Sequence, residues 1–171
     1  GKTIKSYTIK VTRIVAIGQS YQGGKVAYID GTTGLHGLIA ATADQSAGII
    51  WAILAYQNTA VTGADGLVIG TGNQNTIDIV AQNGASSTFA AGLCSNFTTS
   101  SYSDWYLPSK DELNQLYINQ TAIGGFTTLY YWSSSETTAD TAWVERFYNG
   151  FQSSNYGKTN FSVRVRCIRT F

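Results

Sequence analysis

The chain has 171 residues, enough for one domain with a core of its own, and 43% of them are hydrophobic. Charged residues make up only 12% and the formal net charge is +1, so the surface falls to Ser, Thr, Asn, Gln, Gly and Tyr, a composition that suits an extracellular recognition surface better than a cytosolic enzyme. No run of about 18 apolar residues is present to cross a bilayer as a helix, the start lacks a signal-peptide pattern, and a chain opening on Gly1 without Met is read as an excised or mature piece.

Residues 3–17 predict a strand: Tyr7, Ile9, Val11, Val15 and Ile17 share one parity while Ser6, Thr8, Lys10 and Thr12 hold the other. Lys25 to Ile29 and Leu35 to Ala41 predict a hairpin around Asp30-Gly31-Thr32-Thr33-Gly34, where glycine supplies the turn's positive φ. Asp44 is placed to cap a helix over Gln45 to Gln57, because Ile49, Ile50, Ile53 and Leu54 recur at helical spacing. Thr71 to Gln74 reads as a capping box before a short helix with Ile77 and Val80, and Ser87 as the cap of another in which Phe89, Leu93 and Phe97 share a face.

The strongest helix start is Ser109-Lys110-Asp111-Glu112, where hydroxyl and carboxylate can each satisfy the other residue's free amide ahead of Leu113, Leu116 and Tyr117. After Gly124-Gly125 the chain becomes aromatic and β-prone, predicting strands over Tyr130 to Ser135, Thr141 to Tyr148 and Phe161 to Phe171. Strand first, helices in the middle and strands last is an α+β order that allows the N- and C-terminal strands to pair. In the last strand Val163, Val165 and Cys167 face one way and Arg164 and Arg166 the other. No repeat or linker divides the chain, so residues 1–171 are read as one domain.

The charge is unevenly distributed. Residues 1–25 hold Lys2, Lys5, Lys10, Arg13 and Lys25, residues 158–171 hold Lys158, Arg164, Arg166 and Arg169, and neither segment contains an acid; together they carry nine of the chain's eleven cations. All ten acids lie from Asp30 to Glu145, opposed there only by Lys110 and Arg146. Pairing of the terminal strands would gather the nine cations into one positive field. The alternative is that they blunt an exposed strand edge or pair with acids from the middle. Cys94 and Cys167 have no metal-ligand spacing; they read as buried free thiols, with a single disulfide as the alternative.

Asp104-Trp105-Tyr106-Leu107-Pro108-Ser109 leading into Glu112-Leu113, Tyr131-Trp132-Ser133-Ser134-Ser135-Glu136, Ala142-Trp143 with Phe147 and Gly150, Lys158, and Val163-Arg164-Val165-Arg166-Cys167-Ile168-Arg169 resemble, in order, the bacterial family named for the C-terminal domain of the Legionella collagen-like adhesin. Gly24-Lys25-Val26-Ala27-Tyr28 and His36-Gly37-Leu38-Ile39-Ala40 extend the likeness to about residues 18–171. The resemblance implies a C-type-lectin-like fold. It also implies a surface-displayed homotrimer after a collagen-like stalk, which binds sulfated glycosaminoglycans and supports adhesion and biofilm. The E-P-N, Q-P-D and W-N-D runs by which calcium-dependent lectins hold sugar are missing. Trp132, Trp143 and Trp105 are expected in the core, with Glu136 and the serines satisfying buried backbone.

His36, the single histidine, sits in an apolar strand without a cysteine or acid at ligand spacing and reads as structural. No nucleophile elbow, P-loop, EF-hand loop or H-E-x-x-H is present, so neither enzyme, cofactor nor metal is expected, nor a nucleic-acid partner or membrane insertion. The expected function is an extracellular or cell-surface adhesin domain. It would bind sulfated glycosaminoglycans or other polyanionic polysaccharides through Lys158, Arg164, Arg166, Arg169, Lys2, Lys5, Lys10 and Arg13, multiplied by trimer avidity, with residues 1–17 available for oligomer contacts. Two alternatives stand beside it: a structural trimerisation cap on a stalk, and protein recognition through the Tyr- and Ser-rich stretch from Tyr148 to Tyr156.

Overall fold

The computed structural model describes residues 15–31, 35–99 and 101–171 as two antiparallel sheets joined by helices and long irregular stretches. The first sheet has the order β1 (Ser20–Tyr21), β2 (Gly24–Asp30), β3 (His36–Ala40), β7 (Ile168–Thr170). The second is a meander of β4 (Tyr130–Glu136), β5 (Thr141–Arg146) and β6 (Phe151–Gly157). Between them run α1 (Gly72–Asn83), α2 (Ala90–Ser95), α3 (Lys110–Ile118) and α4 (Gln120–Ile123). This is a mixed α+β domain, as the order of sequence signals predicts.

The β2–β3 hairpin forms where expected, with Lys25 opposite Ala40 and Asp30 opposite His36. The last strand pairs with β3, Leu38 opposite Thr170 and Ala40 opposite Ile168. Its expected partner, the strand over 3–17, lies almost wholly outside the described residues; Val15, Ala16 and Ile17, which are described, are not in a strand. The rest of the 161–171 segment contributes bridges instead of a continuous strand, Val165 to Ser46 and Arg164 to Tyr131, and Ile168 of β7 also bridges to Tyr106.

The helix expected over Gln45 to Gln57 does not form. Its amides are taken by the distant chain end: Gln45 N–H donates to Val165 O at 2.9 Å, Ile49 N–H to Val163 O at 3.0 Å and Trp51 N–H to Lys158 O at 3.0 Å. Only Leu54–Tyr56 turns as a short 3-10 helix. Trp51, which would have lain on the helix, is fully buried and its indole donates to Ser133 O at 2.8 Å.

The other helix starts vary. At α3 the capping box is complete: Ser109 Oγ accepts from Glu112 N–H and Glu112 Oε2 accepts from Ser109 N–H at 2.8 Å. At α1 the helix forms without its expected box, because Thr71 Oγ1 donates to Val68 O and Gln74 turns to Asp78. At α2 the residue before the helix is Phe89, so Ser87 does not cap it, although Phe89, Leu93 and Phe97 do share the core-facing side.

Two buried clusters form the core. One joins Trp51, Trp105, Trp132, Ile79, Phe89, Val163 and Val165. The other joins Leu38, Tyr106, Leu113, Leu116, Tyr131, Phe147 and Ile168. Cys94 and Cys167 are bonded, with Cα atoms 5.4 Å apart, tying α2 to the segment before β7 and correcting the free-thiol reading.

Candidate functional site

The four C-terminal cations offered as the main contact set point into the domain. Lys158 is fully buried, its ammonium 4.9 Å from the Trp51 ring centre and donating to Glu136 Oε1, Thr59 O and Ala139 O. Arg166, also fully buried, donates through Nε at 2.9 Å and Nη2 at 2.6 Å to Asp44 Oδ1, and to the carbonyls of Ala41, Gly124 and Gly125. Arg164, its side chain 20% exposed, takes the other Asp44 oxygen at 3.0 Å. Arg169 forks onto Asp104 with two 2.7 Å bonds over the Tyr102 ring, and the guanidinium holds the Asp104 carboxyl below its usual range.

The strand alternation is thus correct, but the Arg164 and Arg166 face is a second interior surface. Apart from Arg164 Nε, which is buried without a partner among the described residues, these guanidinium and ammonium groups are engaged inside the protein, and withdrawing Lys158 or Arg166 to meet a polyanion would leave the largely buried Glu136 and Asp44 carboxylates short of their partners. Lys2, Lys5, Lys10 and Arg13 lie outside the described residues, and so does any meeting of the two basic ends. The signal for this internal pairing is the charge segregation itself: a C-terminal segment without acids meets carboxylates of a middle that holds every acid.

Among the described residues the arginine left to solvent is Arg146, at the end of β5. Among the described residues no carboxylate pairs with it; its guanidinium instead lies 5.7 Å from the Tyr130 ring centre and 5.4 Å from that of Tyr148. Tyr130 packs on Tyr156 of β6 at 4.7 Å, and Phe151, 54% exposed, stands opposite Arg146 in the β5–β6 register. Tyr148 is 68% exposed. Burial, and then the neighbouring Tyr130 hydroxyl, push the Tyr156 phenol up to about 12, so it stays neutral at physiological pH. The result is an exposed cation framed by aromatic rings along an edge strand rich in Ser, Gln and Asn. The sequence marks the Tyr148 to Tyr156 stretch but shows Arg146 only as a cation opposing the central acids, and β6 carries no apolar alternation by which a strand would be recognised.

The Trp-Ser-Ser-Ser-Glu block is internal, as expected. Trp132 and the three serines are fully buried, Ser135 Oγ donates to Gly66 O and accepts from Lys110 N–H, and Glu136 accepts from Val61 N–H. Trp105 is buried too, whereas Trp143 is half-buried beneath the Lys110 ammonium, 5.4 Å away. His36 is exposed at the start of β3. Among the described residues no group of three or more His, Cys, Asp or Glu could hold a metal ion, and no helix is long and apolar enough to cross a membrane.

A family model described as the Lcl C-terminal domain matches residues 40–169. No curated protein matches the chain.

Proposed function

We propose, for a chain that belongs to the Lcl C-terminal domain family, a role as a non-enzymatic adhesin-associated recognition domain, displayed outside the cell, that meets its ligand on the aromatic and arginine face of β5 and β6. The carrying observation is Arg146, exposed and framed by Tyr130 and Tyr148 while the described C-terminal cations are engaged internally. A sulfated glycosaminoglycan or similar polyanionic polysaccharide fits this chemistry: the guanidinium forks onto a sulfate or carboxylate, and the ring faces pack on the apolar sides of sugars. Lys2, Lys5, Lys10 and Arg13 remain the second part of this contact set. The Cys94–Cys167 bond supports an oxidising, extracellular setting. Family membership together with the α+β frame supports a C-type-lectin-like architecture.

A homotrimer would repeat one Arg146 face three times and let a long polysaccharide engage several copies, which gives adhesion and biofilm support through avidity. Residues 1–17 are proposed to supply oligomer contacts; a monomer by light scattering at micromolar concentration would count against that part. Heparin chromatography tests the whole reading. The wild-type domain is expected to be retained at about physiological ionic strength and released by salt, Arg146→Ala to elute earlier, and the Lys2, Lys5, Lys10 and Arg13 fourfold Ala variant earlier still. Flow-through of the wild type would overturn it. The exposed Tyr148 and Phe151 favour a second reading, protein recognition on the same face, in which heparin is ignored but Tyr148→Ala abolishes partner capture.

A further inference from the structure

The β2–β3 hairpin carries Asp30 and His36 as directly opposed residues, both exposed. Beside them, between the hairpin, the end of β7 and the turn before α1, lies a cleft of about 580 Å³ lined by Tyr28, Asp30, His36, Leu38, Ile69 and Phe171. Its walls are held in place. Phe171 exchanges backbone hydrogen bonds with Gly37 at 3.1 and 3.3 Å, and its ring meets the Tyr21 ring edge-on at 5.5 Å. A Cβ on Gly37 would lie 2.0 Å from Tyr28 O and 2.8 Å from the Phe171 ring, so the missing side chain is what lets the aromatic wall close on the strand. On the other side Gly70 N–H donates to Glu112 Oε1 at 2.9 Å, anchoring the Ile69–Gly70 turn to α3.

The lining combines the Tyr28 and Phe171 rings and the aliphatic Leu38 and Ile69 with a single carboxylate, the His36 imidazole and the Thr170 hydroxyl, and includes no lysine or arginine. Among the described residues the Asp30 carboxylate accepts one long hydrogen bond, from Tyr28 Oη at 3.5 Å. An exposed carboxylate with so little engagement, set beside ring faces and methyl groups, complements an amphipathic cation. A methylene stem packs on Leu38 and Ile69 while the ammonium meets the carboxylate and a ring face. A sulfated or carboxylated chain would meet the opposite of what it needs here.

We propose that this cleft is a binding site for an alkylammonium group, either the side chain of a lysine on a protein partner or a free polyamine, separate from the Arg146 face and of opposite charge preference.

Two-dimensional NMR of the whole chain tests it, with 1,5-diaminopentane, an N-acetyl-lysine amide and a short lysine-containing peptide as ligands, and 1-pentanol as the neutral control. The expected result is saturable shifts centred on Ile69 and Phe171 with each amine and weaker ones with pentanol, and loss of about tenfold in affinity in Asp30→Asn. Tighter binding of the peptide would identify a protein lysine as the source, and equal or tighter binding of the diamine a free polyamine. Asp30 is exposed at a strand end, so the variant is expected to fold, which an unchanged amide spectrum away from the hairpin would establish. Shifts equal to those from pentanol, shifts undiminished in Asp30→Asn, or shifts mapping elsewhere would overturn the proposal. Heparin retention is expected to be the same in Asp30→Asn as in the wild type, so failure of the Arg146 reading and failure of this one register in different measurements.

Discussion

Arg166 and Asp44, separated by 122 residues in the chain, meet through two hydrogen bonds to one carboxylate oxygen, 2.9 Å from Nε and 2.6 Å from Nη2, with the arginine fully buried. The same carboxylate holds Arg164 and accepts from Tyr131 Oη at 2.9 Å. Removing it would strand a buried guanidinium, which typically costs about 3–5 kcal/mol. Asp44→Ala is therefore expected to lose about that much stability in a urea titration, and Arg166→Ala to be comparably unstable. Arg166→Ala would reduce heparin retention only as far as it unfolds the domain, so normal stability with selectively lost retention would show that Arg166 serves a ligand after all.

Ser109 caps α3 and is itself fully buried, its hydroxyl also donating to Val68 O at 3.0 Å. Loss of an N-cap alone costs about 1 kcal/mol. The Val68 carbonyl keeps two other donors, Thr71 N–H at 3.2 Å and Thr71 Oγ1 at 2.7 Å, so losing the Ser109 hydroxyl leaves it satisfied and adds little. Ser109→Ala is expected to cost about 1 kcal/mol in chemical denaturation, and a loss below about 0.5 kcal/mol would show that water replaces the hydroxyl.

These two sites divide what the sequence disclosed from what it did not. The α3 box was legible because both partners lie within one helical turn, so local chemistry alone determines it. The segment over 45–57 has helical spacing too, yet its backbone amides bond to residues 158–165, and no local pattern reports a partner more than a hundred residues away. The same limit applied to the cations. Alternation placed Arg164 and Arg166 on one face correctly, but whether that face meets solvent depended on Asp44 lying across from it. Strand β6 escaped because it is an edge strand whose residues 151–157 are all exposed or half-buried, which leaves no period-2 apolar signal.

The Cys94–Cys167 bond closes a loop with a sequence separation of 73 and joins α2 to the chain just before β7. Restricting an unfolded loop of that size contributes on the order of 4 kcal/mol in the chain-entropy account. Reduction, or a Cys94→Ala and Cys167→Ala double variant, is expected to lower the thermal midpoint by roughly 8–16 °C for a domain of this length. Differential scanning calorimetry with and without reductant checks it, and matching midpoints would mean that the bond is absent in solution or contributes nothing.

Glu145 supplies the clearest pH dependence. It is fully buried on β5; Oε2 accepts from Gln152 Nε2 at 3.2 Å, while Oε1 has no hydrogen-bond partner among the described residues. Burial pushes its pKa up to about 7, with the Gln152 hydrogen bond and the Lys110 charge opposing the rise and Asp111 adding to it. An unfolded glutamate titrates near 4.3, so between about pH 4.3 and 7 the folded state binds more protons than the unfolded one and stability falls as pH rises. The contribution is fully present below that window and lost above it. Glu112 is raised by burial in the same direction, whereas Asp104, lowered by Arg169, acts oppositely and only at more acidic pH. The domain is therefore expected to melt higher at about pH 5 than at about pH 8. Glu145→Gln, which keeps the shape and removes the charge, is expected to raise the midpoint at about pH 8 by roughly 3 °C or more and flatten the profile between the two. If Glu145→Gln instead melts lower at about pH 8, or retains the wild-type slope, the carboxylate is hydrated or paired in solution and burial does not govern its titration.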